Sequence, residues 1–448
     1  MALNGTHPLR VAMLARVVFP LHGFGGIERH VFHLVTHLTR LDVAVTLYVQ
    51  PPTNDQRPTT NGEDRRLATD EASLQVERTR ETIFGQIDGE AARQSSLVLL
   101  RYDYTSPLLR PNSILGRQIN YPWYSWELGR RAARSARRGA YDVVHAQGLC
   151  AFGYGWIRRR DPLLRQVPFI ANPHGLEEYR TPDWRKRLAY APFRALYSYG
   201  NLCADRVIAT DACTKDDLPR YLGADPAQVV VIPSAIDVAE CLAYLSDAAR
   251  ASLRERLQLD QADLVLLSVG RLERNKGFHV LLEALARLRG RLPARWRWLL
   301  VGQGSERTRL EQQAGTLGLL EHIRFVGRLD DAELHNLYEE VDLVIHPTLY
   351  EGSSLVTLEG MIHRRPMVAS AAGGIPDKVF DGRNGYLVRP GDVDDLAAKL
   401  ALALDQRARW EQWGEESVRI VRETFDWPVV ARRTRAAYEQ MLAANRPV

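Results

Sequence analysis

The sequence predicts two doubly wound α/β domains in succession. Three observations carry this prediction. The chain has 448 residues, too many for one ordinary core and suited to two of similar size. Short, continuous apolar runs rich in β-branched residues recur along it, separated by longer amphipathic helical patterns, as expected of parallel strands covered on both faces. Glycines follow several of these runs, where open α/β sheets turn from strand to helix at their ligand-binding edge. In the first half the strand candidates are Arg10–Val17, Val43–Val49, Asp142–His145, Pro168–Asn172, Arg206–Thr210 and Val229–Ile232. In the second half they are Leu264–Val269, Trp298–Val301, Ile323–Val326, Leu343–His346 and Met367–Ser370. The break is expected between Ile236 and Asp263, after a strand closed by Pro233. This divides the chain into a domain over 1–240, a second over 260–416 and terminal helices over 417–448. Pro51–Arg66 is polar and aperiodic and reads as a mobile loop.

Composition narrows the function classes. Hydrophobic residues at 45% and charged residues at 25% match a globular chain. No apolar run reaches the ~18 residues of a spanning helix. Val11–Pro20 is interrupted by Arg16 and lacks a cleavage site, so it reads as a first strand and not as a signal peptide. Cys150, Cys203, Cys213 and Cys241 form no metal-ligand spacing, which fits reduced thiols and a cytoplasmic location. The net charge of +5 is carried almost wholly by arginine, with only five lysines: Lys186, Lys215, Lys276, Lys378 and Lys399. That balance suits phosphate ligands or an anionic membrane face and calls for no nucleic acid.

The second half carries the motifs. Gly270, after Leu264–Val269, is expected to let the chain turn without a Cβ clash and to place Arg271 and Lys276 at the sheet's carboxyl edge. Two cations there suit a diphosphate; the alternative is a solvated turn. Gly302 and Gly304 mark another tight turn. The third glycine of a dinucleotide fingerprint is missing, since Arg307 stands there, and Gly23-Phe-Gly25 fails likewise at Glu28. The richest segment runs from Asp342 to Gly360. Glu351 stands in a loop, Ser353 or Ser354 is placed to cap a helix, and Glu359 follows within it. The amides of Gly352, Ser353, Ser354 and Leu355 then form an anion- and hydroxyl-binding helix start. The carboxylates suit sugar and ribose hydroxyls, against the plainer reading of surface charges. Gly373-Gly374 after the next strand permits close backbone approach.

In this order the motifs closely resemble the retaining GT-B glycosyltransferases of family 4: Gly270-Arg271…Lys276-Gly277, Gly302-x-Gly304, Glu351 with seven residues to Glu359, and Gly373-Gly374-Ile-Pro. Gly25-Gly26-Ile-Glu-Arg29 and Pro173-His174-Gly175 extend the resemblance to the first half. It implies two Rossmann-like domains facing each other across a cleft, with the first binding acceptor and the last helices crossing back to it. It further implies transfer with retention from a nucleotide-diphosphate sugar to a glycan, lipid-linked or small-molecule acceptor, without a metal or other cofactor. Arg271 and Lys276 would grip the diphosphate, Glu359 the ribose, and Glu351 with the following amides the donor sugar. His174 would contact the transferred sugar, Gly25 and Gly26 would approach the diphosphate, and Arg328 would lie near the base. Four positions depart from the pattern: Asp377, Ser234, Ala235 and Gln147. A sugar-nucleotide epimerase or a non-catalytic sugar-nucleotide-binding protein of the same fold are the competing readings, and a dehydrogenase is disfavoured by the failed fingerprints.

Two further features have competing explanations. A lone His such as His174 is ordinarily a satisfied core residue. Tyr121-Pro-Trp-Tyr-Ser-Trp126 precedes Arg130, Arg131, Arg134, Arg137 and Arg138, which reads either as peripheral docking on an anionic membrane or as a solvated helix whose aromatics pack inward.

Overall fold

A computed structural model describes residues 7–23, 25–50, 76–100, 114–176, 179, 188 and 190–445. The predicted loop at 51–66 lies outside them, as does Lys186. The chain divides into two compact units, Met1–Ile232 with Val430–Val448, and Pro233–Val429.

The first unit is built on a seven-stranded sheet of β1 (Leu9–Leu14), β2 (Val43–Val49), β3 (Ser96–Leu99), β4 (Val143–Gln147), β5 (Phe169–Asn172), β6 (Arg206–Ala209) and β7 (Val229–Val231). Their order is β3-β2-β1-β4-β5-β6-β7, and every pair is parallel. Helices include α1 (Gly26–Arg40), α2 (Ile114–Ala136), α3 (Ala151–Arg160) and α4 (Ala191–Leu202). The second unit has six parallel strands, β8 (Leu264–Val269), β9 (Trp296–Val301), β10 (Ile323–Gly327), β11 (Leu343–His346), β12 (Met367–Ser370) and β13 (Gly385–Val388), in the order β10-β9-β8-β11-β12-β13. Its helices include α5 (Phe278–Arg287), α6 (Asp331–Tyr338), α7 (Leu355–Ile362), α8 (Val393–Asp405) and α9 (Trp410–Ile420). In both sheets the order reverses beside the first strand, at β1/β4 and at β8/β11. Such a reversal splays the connecting loops and opens a crevice at the carboxyl ends.

The period of two explains why the strands read as unbroken apolar runs. Leu264 and Leu266 enter a core with Trp298, Leu300, Phe278 and Leu281, while Val265, Leu267 and Val269 enter a second core with Leu299, Leu358 and Met361. Successive side chains thus serve opposite faces, both buried. Two strands, β3 and β13, escape the sequence pattern. Each is a four-residue edge strand; β3 is half-buried along its length, and β13 starts on Gly385, where a Cβ would meet the Met367 carbonyl at 2.0 Å.

The division falls earlier than the expected break. Ile236 already belongs to the second unit, its amide donating to the Phe425 carbonyl at 3.0 Å while the Trp427 amide donates back at 3.1 Å. At the other end, Trp410–Ile420 also stays with the second unit, where Trp413 is fully buried in its core. From Val430 onward the last helix, α10 (Trp427–Ala444), groups with the first unit, and its Tyr438 hydroxyl lies 2.6 Å from His145 Nδ1.

Candidate functional site

In the second unit, the loops after β8 and β11 place side chains at the reversal point. The loop after β8 returns through a short turn over Arg274–Lys276 into Gly277, whose φ of +70° and whose missing Cβ are both required, since a Cβ would strike the Pro347 carbonyl at 1.8 Å. Leu349 N–H donates to the Asn275 carbonyl at 2.7 Å and the Thr348 hydroxyl to the same carbonyl at 3.1 Å, stitching the two loops together. This close approach brings Lys276 Nζ to 2.7 Å from Glu351 Oε2. His346, the last residue of β11, sits with Nε2 3.1 Å from the same oxygen, and the Gly352 amide donates to Oε1 at 3.2 Å.

The electrostatics follow from burial. Burial pushes the Glu351 carboxyl up, but His346 and Lys276 together outweigh it and hold the group at about 2. Burial holds the imidazole of His346 below its ordinary range, against the pull of Glu351. An ionised carboxylate can only accept, so the proton of neutral His346 sits on Nε2 and leaves Nδ1 an acceptor. That Nδ1 is buried and has no hydrogen-bond partner among the described residues.

A second lysine serves this loop from behind. Lys378, 1% exposed, donates to the Ser353 carbonyl and, at 3.0 Å, to the Ser354 carbonyl. Gly373, at φ +54°, lies so close that a Cβ would meet the Glu351 carbonyl at 2.1 Å, and the Gly374 amide donates to the Gly352 carbonyl at 2.8 Å. The loop carrying Glu351, Gly352, Ser353 and Ser354 is therefore held from three sides.

Several expectations change. Neither serine caps α7 with its side chain: Ser354 is the N-cap residue, but its hydroxyl turns back to His346 Nε2 at 3.3 Å, leaving the amides at Leu355 without a side-chain cap. At Gly270 the demand for glycine comes from the backbone, φ +157°, and not from space, since a Cβ would stand 3.5 Å from Phe278, an ordinary contact. Gly302 and Gly304 are required, because a Cβ would meet Gly270 O at 1.9 Å or Leu272 O at 2.3 Å. Arg271 is not drawn to Lys276. Its side chain is 73% exposed and pairs with Glu273 at 2.8 Å. Glu359 stands apart from Glu351 in α7 and accepts from the Tyr338 hydroxyl at 3.1 Å. Arg328 is exposed and lines a shallow pocket with Arg256, Arg324 and Phe325.

In the first unit, Gly25 is the N-cap residue and Gly26 the first residue of α1; a Cβ on Gly25 would meet the mobile Glu28 carboxylate, and one on Gly26 would meet nothing. His174 follows β5 at φ +65°, a left-handed conformation costly for most residues other than glycine and asparagine. Its amide donates to Asn172 Oδ1 at 3.0 Å, Thr210 donates to its carbonyl at 3.3 Å, and Tyr197 donates to the Pro173 carbonyl. The ring lies edge-on to His30 at 4.7 Å, and burial lowers its pKa to about 4, so it is neutral near pH 7. His174 Nε2 is buried without a partner among the described residues, unlike a satisfied core histidine. Gln147, one of the departures, occupies its strand end 3.1 Å from His145 Nε2 and 3.2 Å from Met13 Sδ. If His174 is held in a strained backbone, His174→Asn, which tolerates left-handed geometry, should keep wild-type stability in urea titration. His174→Val should lose about 1–3 kcal/mol.

Two family models match the chain in tandem. Residues 24–240 match Glycosyltransferase Family 4, and residues 249–419 match Glycosyl transferases group 1. D-inositol 3-phosphate glycosyltransferase 2 of Catenulispora acidiphila is 30% identical over 314 residues, covering 68% of this chain and 72% of that one. This protein is a family 4 glycosyltransferase. The glycogen synthase of Mycobacterium tuberculosis is 31% identical over 309 residues, covering 68% and 69% of the two chains. Among solved structures, sucrose-phosphate synthase of Thermosynechococcus elongatus superposes with a TM-score of 0.68 at 22% identity over 97% of this chain and 100% of that one. HepE of Anabaena in complex with UDP-glucose gives 0.64 at 18% identity over 96% and 100%. The glycosyltransferase thus has the GT-B fold and is a transferase of the EC 2.4 type.

Sequence reasoning missed three residues of the second unit: His346, Tyr338 and Lys378. Only Lys378 left a trace, as one of five lysines in a chain that uses arginine elsewhere. His346 reads only as the end of a strand and Tyr338 stands in no motif, and their polar atoms gain meaning only from what folds against them.

Proposed function

We propose that this glycosyltransferase moves a sugar from a nucleoside-diphosphate sugar to a glycan, lipid-linked or small-molecule acceptor with retention of anomeric configuration. The observation that carries the reading is the Lys276–Glu351–His346 group at the carboxyl ends of β8 and β11. In the reaction the anomeric carbon–phosphate bond breaks as the acceptor oxygen bonds to the same face, and the acceptor proton passes to the departing diphosphate. Lys276, joined by the exposed Arg271, stabilises the charge that builds there. Glu351, held at about 2, is too weak a base to take a proton near neutral pH and serves as a fixed acceptor for donor-sugar hydroxyls. That argues against the epimerase reading, which needs a base. Glu359 takes the ribose, His174 the transferred sugar, and Arg328 the region of the base. The amides at Leu355, open for want of a side-chain cap, suit the donor's anionic or hydroxyl groups.

The test is a thermal-shift panel of nucleotide sugars in EDTA, UDP-sugars first, followed by proton NMR of the product anomer. Stabilisation by one nucleotide sugar and a product of unchanged configuration are expected. An inverted product, or an epimerised donor without acceptor, overturns the reading.

One face of α2 favours a peripheral membrane contact from the cytoplasmic side. Trp123 and Ile119 are exposed on the stripe that also carries Arg130 and Arg134, while Tyr124 and Leu128 pack inward. Arg130 and Arg131 pair with Glu127, and Arg137 with Asp161; Arg134 and Arg138 have no acidic partner among the described residues. No described helix is long and apolar enough to cross a membrane. Co-sedimentation with phosphatidylglycerol vesicles should fall at least about threefold on replacing Trp123, Arg134 and Arg138 together, and unchanged pelleting rejects the contact.

A further inference from the structure

We propose that Arg16 anchors an anion-binding subsite in the first unit, and that the acceptor carries an oxyanion, a phosphate monoester or a carboxylate, which this subsite takes. The inference rests on the reading of this chain as a transferase whose first unit binds the acceptor.

Arg16 is the residue that interrupts the apolar stretch of the first strand, and no motif accounts for it. It stands two residues beyond β1, where the sheet order reverses between β1 and β4. Ligands of open α/β sheets bind in the crevice that such a reversal opens. The backbone here is pinned on both sides. The Ala15 amide donates to the Tyr48 carbonyl at 3.0 Å, Tyr124 Oη donates to the Ala15 carbonyl at 3.0 Å, and the Gln50 amide donates to the Arg16 carbonyl at 3.3 Å. The Arg16 side chain is half-buried, with Cζ 4.8 Å from the centre of the Tyr121 ring. Its guanidinium has no carboxylate or other hydrogen-bond acceptor among the described residues. A guanidinium over an aromatic face keeps its N–H donors for an oxyanion. Water solvates an exposed arginine such as Arg134, whereas a half-buried one held on a ring is a fixed charge.

Two further features point the same way. Asn120 lies one turn before Tyr124, on the flank of α2 that meets the end of β1. It is 3% exposed, and its Nδ2 is buried with no hydrogen-bond partner among the described residues. A donor left unpaired in the interior is destabilising, and a ligand oxygen removes that penalty. The second feature is the start of α3. Ser125 Oγ donates to the Leu149 carbonyl at 2.8 Å and accepts from the Gly153 amide at 2.9 Å, tying α2 to the turn Gly148–Cys150 that leads into α3. The N-cap residue, Cys150, supplies no side-chain acceptor, and the helix dipole adds partial positive charge at this end. The charge of Arg16 reaches the same point: burial pushes the Cys150 thiol up to about 12 against the opposing pull of Arg16. The only carboxylate of α2, Glu127, is taken up by Arg130 and Arg131. One guanidinium with a flanking amide matches a single oxyanion. The donor diphosphate has its own cation in Lys276 of the second unit.

Calorimetry on the full chain with glucose 6-phosphate, glucuronate and inorganic phosphate tests this, with glucose as the neutral control and UDP, GDP and ADP in parallel. At least one of the three anions should bind wild type, at least about tenfold more tightly than glucose. Arg16→Gln should weaken that binding about tenfold and leave nucleotide binding within about twofold, and Arg16→Lys should restore part of the loss. Asn120→Leu should weaken anion binding about threefold yet melt no lower than wild type, because it removes the unpaired amide. Anion binding unchanged in Arg16→Gln, or no anion bound by wild type, overturns the subsite. Equal weakening of a nucleotide in Arg16→Gln gives the arginine to the donor and overturns the assignment to the acceptor. A wild type that binds an anion and none of the three nucleotides overturns the transferase reading, and the acceptor assignment with it.

Discussion

Replacing Lys276 with alanine is expected to lower kcat/KM by about 10²–10³-fold, the cost of one charge-stabilising donor at a developing anion. The size follows from its setting. Lys276 is 16% exposed and already aimed by Glu351, so its ammonium does not have to be ordered when the diphosphate arrives. Arg271, 73% exposed and paired with Glu273 on the surface, gives up little on swinging to a ligand but contributes a less ordered charge. Arg271→Ala should therefore cost about tenfold, clearly less than the lysine. Steady-state kinetics beside a thermal melt separate chemistry from folding. Transfer by Lys276→Ala within about threefold of wild type removes the lysine from the mechanism.

Glu351→Gln is expected to lower kcat/KM about 10–100-fold and to change the acid limb of stability. The carboxyl sits at about 2, against an ordinary value of 4.5, so the unfolded chain binds its proton first as pH falls. The stabilisation is complete above pH 4.5 and is lost between there and about 2. It amounts to a few kcal/mol at most, since the group retains some solvent contact. The glutamine variant should lack that component, giving a flatter stability curve over the same window, while it leaves Lys276 without its ion-pair partner near pH 7. Urea titrations at pH 7, 4 and 3 measure both. Because Lys276 and Glu351 touch, the double variant should cost less than the two single losses combined. Fully additive losses indicate that the pair acts on the ligand independently.

The parts of the site legible in the sequence were those that depend on backbone geometry. Gly277, Gly302, Gly304 and Gly373 stand where another strand or loop leaves no room for a Cβ, and such positions leave glycines at strand ends. The Glu351-to-Glu359 spacing likewise reflects a loop followed by little more than one turn of helix. Side-chain direction was less legible. Ser354 looked like a cap and instead bonds His346, because the loop is pulled back by Lys378 and the helix begins with its serine turned away. Arg271 and Lys276, five residues apart, looked like one cationic grip, yet the turn over Arg274–Lys276 sends one to the surface and the other to Glu351.

What the sequence by itself determined was the alternation of buried strand and helix, and with it two parallel sheets whose loops carry glycine, cation and carboxylate to the edges. These are local matters of period, turn and residue type, and they survive without knowledge of the partners. Only the tertiary structure decided which oxygen each cation meets, that Tyr338 and His346 stand beside the two glutamates, and that His174 holds a strained backbone with an unsatisfied ring nitrogen. Those outcomes depend on residues distant in sequence brought together by packing: Lys276 and Glu351 are joined across two strands, and Tyr338 and Glu359 across two helices. Burial then sets their protonation, and no single segment of the chain encodes its own burial.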